Sequence, residues 1–334
     1  MKRNITCILL ILILIVNICG CGKTQHSENS KQVTNMPSQE FALTNADNSL
    51  QFNLADNKLT LVGNPEIDEC NYIMIVLNNN EDYKYVEQCN DGSVNMTIDL
   101  PNERDIIVNL FYGKSQYGQY DSILIDFLEI SKEENCWTFK QSPVLEANKN
   151  MFQQDKSSEN NLTGTEDIQV DSAEIKQIAN QVTSTATNDY EKAKLLHDWV
   201  AENIYYDLDA FYSENYDGLD AVNVLHTKKG VCEGYANLYA ALVRSVGIPC
   251  RKQSGYALGI DTNKKWDMQA INRTETNHAW NEVYVNNKWI IVDATWDSTN
   301  KYQNGKYESG NRITNLYFDS TLEFFSLSHK LIEG

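Results

Sequence analysis

The chain predicts an all-β module followed by an α+β domain, and three observations carry that expectation. Between about residues 46 and 142, short β-branched and aromatic runs alternate with turn residues. From about residue 169 the apolar spacing changes to the helical period of 3.6. A β-rich pair, 278–285 and 288–296, then closes around Asn286-Asn287, so strands return after the helices.

The chain begins Met1-Lys2-Arg3, is apolar from Ile8 to Val16, and continues to Ile18-Cys19-Gly20-Cys21. A positive start, a short apolar stretch and a small residue before a cysteine describe an export signal over 1–20. The apolar run is too short to span a bilayer. Its ending resembles a bacterial lipobox, which implies cleavage before Cys21 and a lipid, palmitate included, on the new terminal cysteine. The expected product is therefore a lipoprotein, extracytoplasmic and lipid-anchored to the bacterial cell membrane. Residues 21–45, rich in Ser, Asn and Gln, read as a flexible tether. A net charge of −18 argues against nucleic acid or an anionic bilayer surface as partner. Membrane attachment falls to the lipid on Cys21.

Seven β runs follow: Leu50–Leu54, Lys58–Val62, Tyr72–Leu77, Val94–Leu100, Ile106–Tyr112, Ile123–Leu128 and Cys136–Phe139. Asp56-Asn57, Asn78-Asn79-Asn80, Asp91-Gly92 and Pro101-Asn102 separate them. That density predicts an immunoglobulin-like sandwich over 46–142. It holds no catalytic constellation and reads as a spacer or docking module. Residues 143–168 read as a polar linker, and 169–334 as the second domain. There Ser172 can cap a helix bearing Ile175, Ile178, Ala179 and Val182, and Asp189 can cap the next, with Ala193, Leu196, Trp199 and Val200 inward. Gly218–Val224 begins a short helix leading to Cys232.

Cys232 opens an apolar helix just after Gly230-Val231, and the chain stays apolar to Val246 before Gly247-Ile248-Pro249 stops it. The first turn of a helix favours negative charge, and the thiolate is the nucleophilic form of cysteine. With Asn286 and Asn287 as the turn, Val285 faces Lys288, Tyr284 faces Trp289 and Trp280 faces Asp293. His278, two residues from Trp280, then shares a face with Asp293 and becomes its diagonal neighbour. A carboxylate beside an imidazole can hold one tautomer, so that the other nitrogen takes a proton from a thiol. A half-exposed sheet with solvent-facing His and Asp is the plain alternative.

Five cysteines remain after processing: Cys70, Cys89, Cys136, Cys232 and Cys250. Their odd number and the lack of C-x-x-C support neither a zinc site nor a dense disulfide framework, and no cofactor is implied. A Cys70–Cys89 bridge stays open for an exported chain. Trp280 could wall a substrate groove, and Tyr205 or Tyr206 could offer a hydroxyl to an oxyanion. Glu233 reads as a first-turn acid. His197, His226 and His329 have no partner that the sequence supplies. A metal held by Cys232, His278 and Asp293 fits these residue types less well than an activated nucleophile.

Gly-Val-Cys-Glu-Gly-Tyr-Ala at 230–236, Asn-His-Ala-Trp-Asn-Glu-Val at 277–283 and Val-Asp-Ala-Thr-Trp-Asp at 292–297 resemble the three core motifs of the transglutaminase-like superfamily. The likeness covers about residues 170–334. It implies an α+β transglutaminase-like, papain-like catalytic fold with Cys232 as nucleophile, His278 as general base and acid, and Asp293 as orienting carboxylate. Asn203–Asp207 is similar to the stretch before the nucleophile in bacterial members, and Phe324–His329 to their tail. The calcium loops and multi-domain layout of the animal cross-linkers are not seen. The expectation is a cell-surface cysteine hydrolase, a peptidase or amidase acting through a thioester on a protein or peptide of the cell envelope. The alternatives are a protein-glutamine cross-linker and a non-catalytic surface-binding module.

Overall fold

The computed structural model describes residues 38–332 apart from 68, 80, 135, 153–160, 260–264 and 311. The expected export signal, Cys21 and most of the expected tether lie outside the described residues. The tether's last part is not extended coil: Gln39–Ala42 forms strand β1.

Eight more strands follow: β2 (Gln51–Ala55), β3 (Lys58–Gly63), β4 (Tyr72–Asn78), β5 (Asp82–Gln88), β6 (Val94–Asp99), β7 (Asp105–Gly113), β8 (Tyr120–Glu133) and β9 (Cys136–Phe139). They make two sheets, β1-β2-β3-β6 and β5-β4-β7-β8-β9, whose pairs are all antiparallel. Alternation sets the faces. In β6, Val94, Met96 and Ile98 are buried while their neighbours are exposed. Asp56 and Asn57 join β2 to β3 with φ of 48° and 62°, the left-handed values a tight hairpin needs. All seven expected runs are strands. β1 and β5 were not expected, because β5 reads Asp-Tyr-Lys-Tyr-Val-Glu-Gln and buries none of these residues fully. As an edge strand, β5 is held chiefly by pairing with β4.

The two sheets share one apolar core, and that core runs on into the second half of the chain. Phe52, Leu61, Ile75 and Leu110 belong to the same cluster as Trp280, Ile291, Tyr317, Phe324 and Phe325. Asn45 Nδ2 donates to the Asp319 carbonyl at 3.0 Å, and Thr321 N to that of Leu43, also at 3.0 Å. The expected linker departs from coil as well, since it begins with helix α1 (Leu145–Phe152). Asn148 is its buried polar residue. Its Nδ2 donates to Ser326 Oγ at 2.8 Å and to the His329 carbonyl at 2.9 Å, and its Oδ1 accepts from Leu331 N at 2.9 Å.

The second half begins with α2 (Ala173–Val182) and α3 (Asp189–Asn203). Ser172 is the N-cap of α2 without a side-chain bond to it. Asn188, not Asp189, caps α3: its side chain accepts from Glu191 N at 2.9 Å, and Glu191 accepts from Thr187 N at 2.7 Å. β10 (Tyr205–Asp207), α4 (Leu208–Ser213), α5 (Ala221–Thr227) and β11 (Lys229–Gly230) lead to α6 (Cys232–Ser245). Asp220 caps α5 through Asn223 N.

Every residue of α6 from Gly234 to Arg244 is buried, so this is the central helix. Gly234 lets α5 approach it closely; a Cβ there would lie 2.9 Å from Val224 Cγ2. Beyond it come β12 (Cys250–Ala257), α7 (Met268–Ile271), β13 (His278–Val285), β14 (Lys288–Val292), α8 (Ala294–Asp297), β15 (Lys301–Gln303), β16 (Lys306–Glu308), α9 (Leu322–Phe325) and β17 (His329–Leu331). The sheet that meets α6 has the order β14-β13-β12-β17 and is antiparallel throughout. Asn281 on β13 donates to the Ala236 carbonyl of α6 at 3.0 Å, which fixes helix against strand. The β13–β14 hairpin turns at Asn286 and Asn287, with φ of 51° and 61°, and pairs Val285 with Lys288 and Tyr284 with Trp289, as the sequence predicts.

Asn148→Ala is expected to lower stability by about 2–4 kcal/mol, because it leaves buried groups of β17 and Ser326 without partners. Urea unfolding monitored by tryptophan fluorescence measures this, and an unchanged midpoint would contradict it.

Candidate active site

Cys232 is the first residue of α6, and Val231 before it offers no side-chain cap. Gly234 N turns back to the Val231 carbonyl at 2.9 Å, so the amides that can meet a substrate oxygen are those of Cys232 and Glu233. The thiol is half-buried. It lies beside the imidazole of His278, the first residue of β13, and its charge helps hold a proton there. His278 Nε2 sits 2.6 Å from Asp293 Oδ2, which leaves Nδ1 to the thiol.

Asp293 follows β14 directly and caps α8. Its Oδ1 accepts from Thr295 N at 3.0 Å and from Trp296 N at 3.2 Å. One oxygen therefore starts a helix while the other meets the imidazole. The structure pairs His278 with Asp293 and sets Cys232 within electrostatic reach of that imidazole.

Electrostatics bind His278 and Asp293 into a charged pair. Burial opposes a charge on His278, but the Asp293 carboxylate and then Cys232 outweigh it and raise the imidazole to about 10. Burial would also raise Asp293, yet His278 and His329 hold it well below the usual carboxylate range. At neutral pH the pair is an imidazolium and a carboxylate.

His329 is the participant the sequence did not place. Its Nε2 lies 3.5 Å from Asp293 Oδ2, longer than an ordinary hydrogen bond, and its Nδ1 is 2.8 Å from Ser328 Oγ. A tautomer in which the Ser328 hydroxyl donates to Nδ1 would carry its proton on Nε2, the nitrogen that faces Asp293. Burial, with His278 beside it, drives His329 down to about 4, so it is neutral at pH 7. Phe325 stacks on its ring with centroids 4.1 Å apart, and Trp296 lies 4.3 Å away. The sole signal for it in the sequence is the Phe324–His329 likeness to a family tail.

The remaining expected residues divide. Trp280 is corrected from a groove wall to a core residue, being 1% exposed. Its indole packs on His278 and Phe325 and fills the space over Gly255, where a Cβ would come within 2.3 Å of it. Tyr206 pairs with Gly230 across the parallel β10–β11 contact, two residues before Cys232. Burial and then the neighbouring Cys232 push its hydroxyl up, so it is a neutral donor beside the thiol. Tyr205 instead packs edge-on against Tyr307 at 5.1 Å. Glu233 pairs with Lys252, and His226 with Glu174.

His197 is buried between Asp198, 2.8 Å from its Nδ1, and Asp297, 3.0 Å from its Nε2. Burial opposes its charge, but the two carboxylates raise it to about 9. Asp297 in turn accepts from Leu316 N and Tyr317 N, each at 3.0 Å. Tyr317 passes the constraint on, because its carbonyl accepts from Asp293 N at 2.8 Å. Among the described residues, His278, Asp293 and His329 also have metal-ligand spacing, with their atoms within 4.8 Å of one another. A divalent cation there would take the Nε2 that holds Asp293, so it would inhibit the thiol chemistry rather than serve it.

Residues 176–294 match the family model of the Transglutaminase-like superfamily. The kyphoscoliosis peptidase of Mus musculus is 28% identical over 124 residues, which is 37% of this chain and 18% of that protein. An uncharacterized protein of Bacillus subtilis, YebA, is 26% identical over 140 residues, 39% of this chain and 18% of its own. The chain thus spans about a fifth of the length of these relatives. The solved periplasmic domain of TgpA from Pseudomonas aeruginosa is 12% identical over 72% of this chain and 69% of that one, with a TM-score of 0.29.

His329→Phe keeps an aromatic ring on Phe325 and removes the donor aimed at Asp293; kcat is expected to fall ~10–100-fold with KM unchanged. His329→Gln should recover much of it, and equal kcat in all three proteins would exclude the role. Because the folded-state value of His278 lies above the unfolded ~6.5, its stabilisation is full below pH ~6.5 and is lost as pH rises through about 10. Urea midpoints should decline across that window in the parent protein and less in His278→Gln.

Proposed function

We propose, from the transglutaminase-like core that residues 176–294 carry, that this protein is a cysteine acyl-transfer enzyme acting by hydrolysis on peptide or carboxamide bonds. The observation that carries the reading is the half-buried Cys232 at a helix start beside His278, whose imidazole meets the buried Asp293 at 2.6 Å. The peptidase among its relatives supports an enzyme of this kind.

Cys232 sulfur attacks the substrate carbonyl carbon while His278 carries the thiol proton. The tetrahedral oxyanion accepts from the uncapped amides at the start of α6, with the neutral Tyr206 hydroxyl as a further donor. His278 then protonates the leaving amine, and a Cys232 thioester remains. Water deprotonated by the same imidazole releases the acid and restores the thiol. Asp293 holds the ring throughout, and its capping bond to α8 keeps the carboxylate from turning away. A primary amine in place of water would make the product a cross-link.

The export-signal pattern over residues 1–20, with Cys21 after it, supports a lipid-anchored, extracytoplasmic setting with a protein or peptide of the cell envelope as substrate. The two N-terminal sheets support an immunoglobulin-like sandwich. Its shared core with the second half favours a buttress of the catalytic sheet over a freely swinging spacer.

The decisive experiment offers a glutamine-bearing protein together with a labelled primary amine. Free ammonia or cleaved peptide without label, both lost in Cys232→Ala, is the expected result; label incorporated in a Cys232-dependent way would replace hydrolysis by cross-linking. Iodoacetamide should modify Cys232 faster than the buried Cys250 and more slowly in His278→Ala. Equal slow labelling would remove the enzymatic reading altogether.

A further inference from the structure

Cys70 and Cys89 stand apart from the catalytic line and have no part in it. Cys70 follows the segment that leaves β3, and Cys89 follows the end of the edge strand β5. Their sulfurs are 3.6 Å apart. The backbone already holds them in place, since Cys89 N donates to the Asn71 carbonyl at 2.9 Å and Cys70 N to that of Ile67 at 3.2 Å. A disulfide needs the sulfurs at about 2.05 Å, a gap that small side-chain rotations close without moving strands.

We propose that Cys70 and Cys89 form a reversible cross-strand disulfide that clamps the open end of the β4–β5 hairpin. The clamp sits where pairing is weakest. β5 is the edge of its sheet and buries no residue fully, while Tyr72 with Gln88 is the last paired position before the two cysteines. The bridge closes a loop holding both strands, and it also ties down the peptide that connects β3 to β4. That peptide reaches the catalytic half, because the Glu66 carbonyl accepts from Asn315 Nδ2 at 3.2 Å.

The oxidant required is a small-molecule disulfide such as glutathione disulfide. Cys89, the more exposed of the two, attacks it as thiolate and expels one glutathione thiolate. The hydrogen bond from Cys70 lowers Cys89 and raises Cys70, which assigns attack to Cys89 and resolution to Cys70. Cys70 then loses its proton to solvent, attacks the Cys89 sulfur and expels the second glutathione thiolate. Two thiols are oxidised and one disulfide is reduced, so the electrons balance.

The protein is equilibrated with glutathione disulfide, quenched with N-ethylmaleimide and digested with trypsin without reduction. The expected product joins peptide 59–84 to peptide 85–104, and dithiothreitol separates them. The oxidised protein should melt ~5 °C above its dithiothreitol-treated form. Cys89→Ser should abolish both the linked peptide and that difference. Two alkylated thiols after oxidation, or glutathione retained on Cys89, overturn the proposal, and a linked peptide without a melting difference overturns the clamp.

Discussion

The site depends on a single buried carboxylate. Asp293 is 1% exposed, and an anion in that position survives only with every oxygen engaged. Oδ1 takes two amides at the start of α8, and Oδ2 takes the His278 imidazole with His329 behind it. Its own amide is spent on the Tyr317 carbonyl. Removing His278 or either amide would leave a buried charge short of hydrogen bonds, and the Asp293 amide ties the same residue to Tyr317, which is why hairpin, helix start and C-terminal segment are mutually constrained.

That constraint extends through a second ionic group. His197 between Asp198 and Asp297 is a charged cluster inside the fold, and Asp297 uses its remaining capacity on Thr314, Leu316 and Tyr317. The segment that receives the Asp293 amide is thus itself pinned from α3. Two histidines close to carboxylates take opposite states here for a physical reason. His197 has two anions and is cationic, whereas His329 shares Asp293 with an imidazolium and stays neutral.

The N-terminal sheets contribute from behind. Phe127 on β8 contacts Trp296 with centroids 6.2 Å apart, and Trp296 contacts both His329 and His278. Phe325 and Trp280 complete the apolar box around the imidazoles. Such a box keeps water from the Asp293–His278 pair and so strengthens it. The N-terminal sheets thereby shape the surroundings of Asp293 and His278.

The sequence by itself determined what local chemistry dictates. Asn286-Asn287 specified a tight turn, the turn specified the register, and the register put His278 beside Asp293; Gly230 and the apolar run after Cys232 specified a helix with the thiol at its start. Period-two alternation likewise made the seven apolar β runs legible. The tertiary structure decided whatever depends on contacts distant in the chain. Nothing local distinguishes His329 from a solvent histidine until β17 pairs with β12 and brings it to Asp293. Trp280 looked like a groove wall because its strand position gives its face, but whether that face is covered depends on α9, β17 and the absent side chain of Gly255. β5 was invisible because its pairing partner, not its own composition, makes it a strand, and the shared core of the two halves follows from docking that no periodicity encodes.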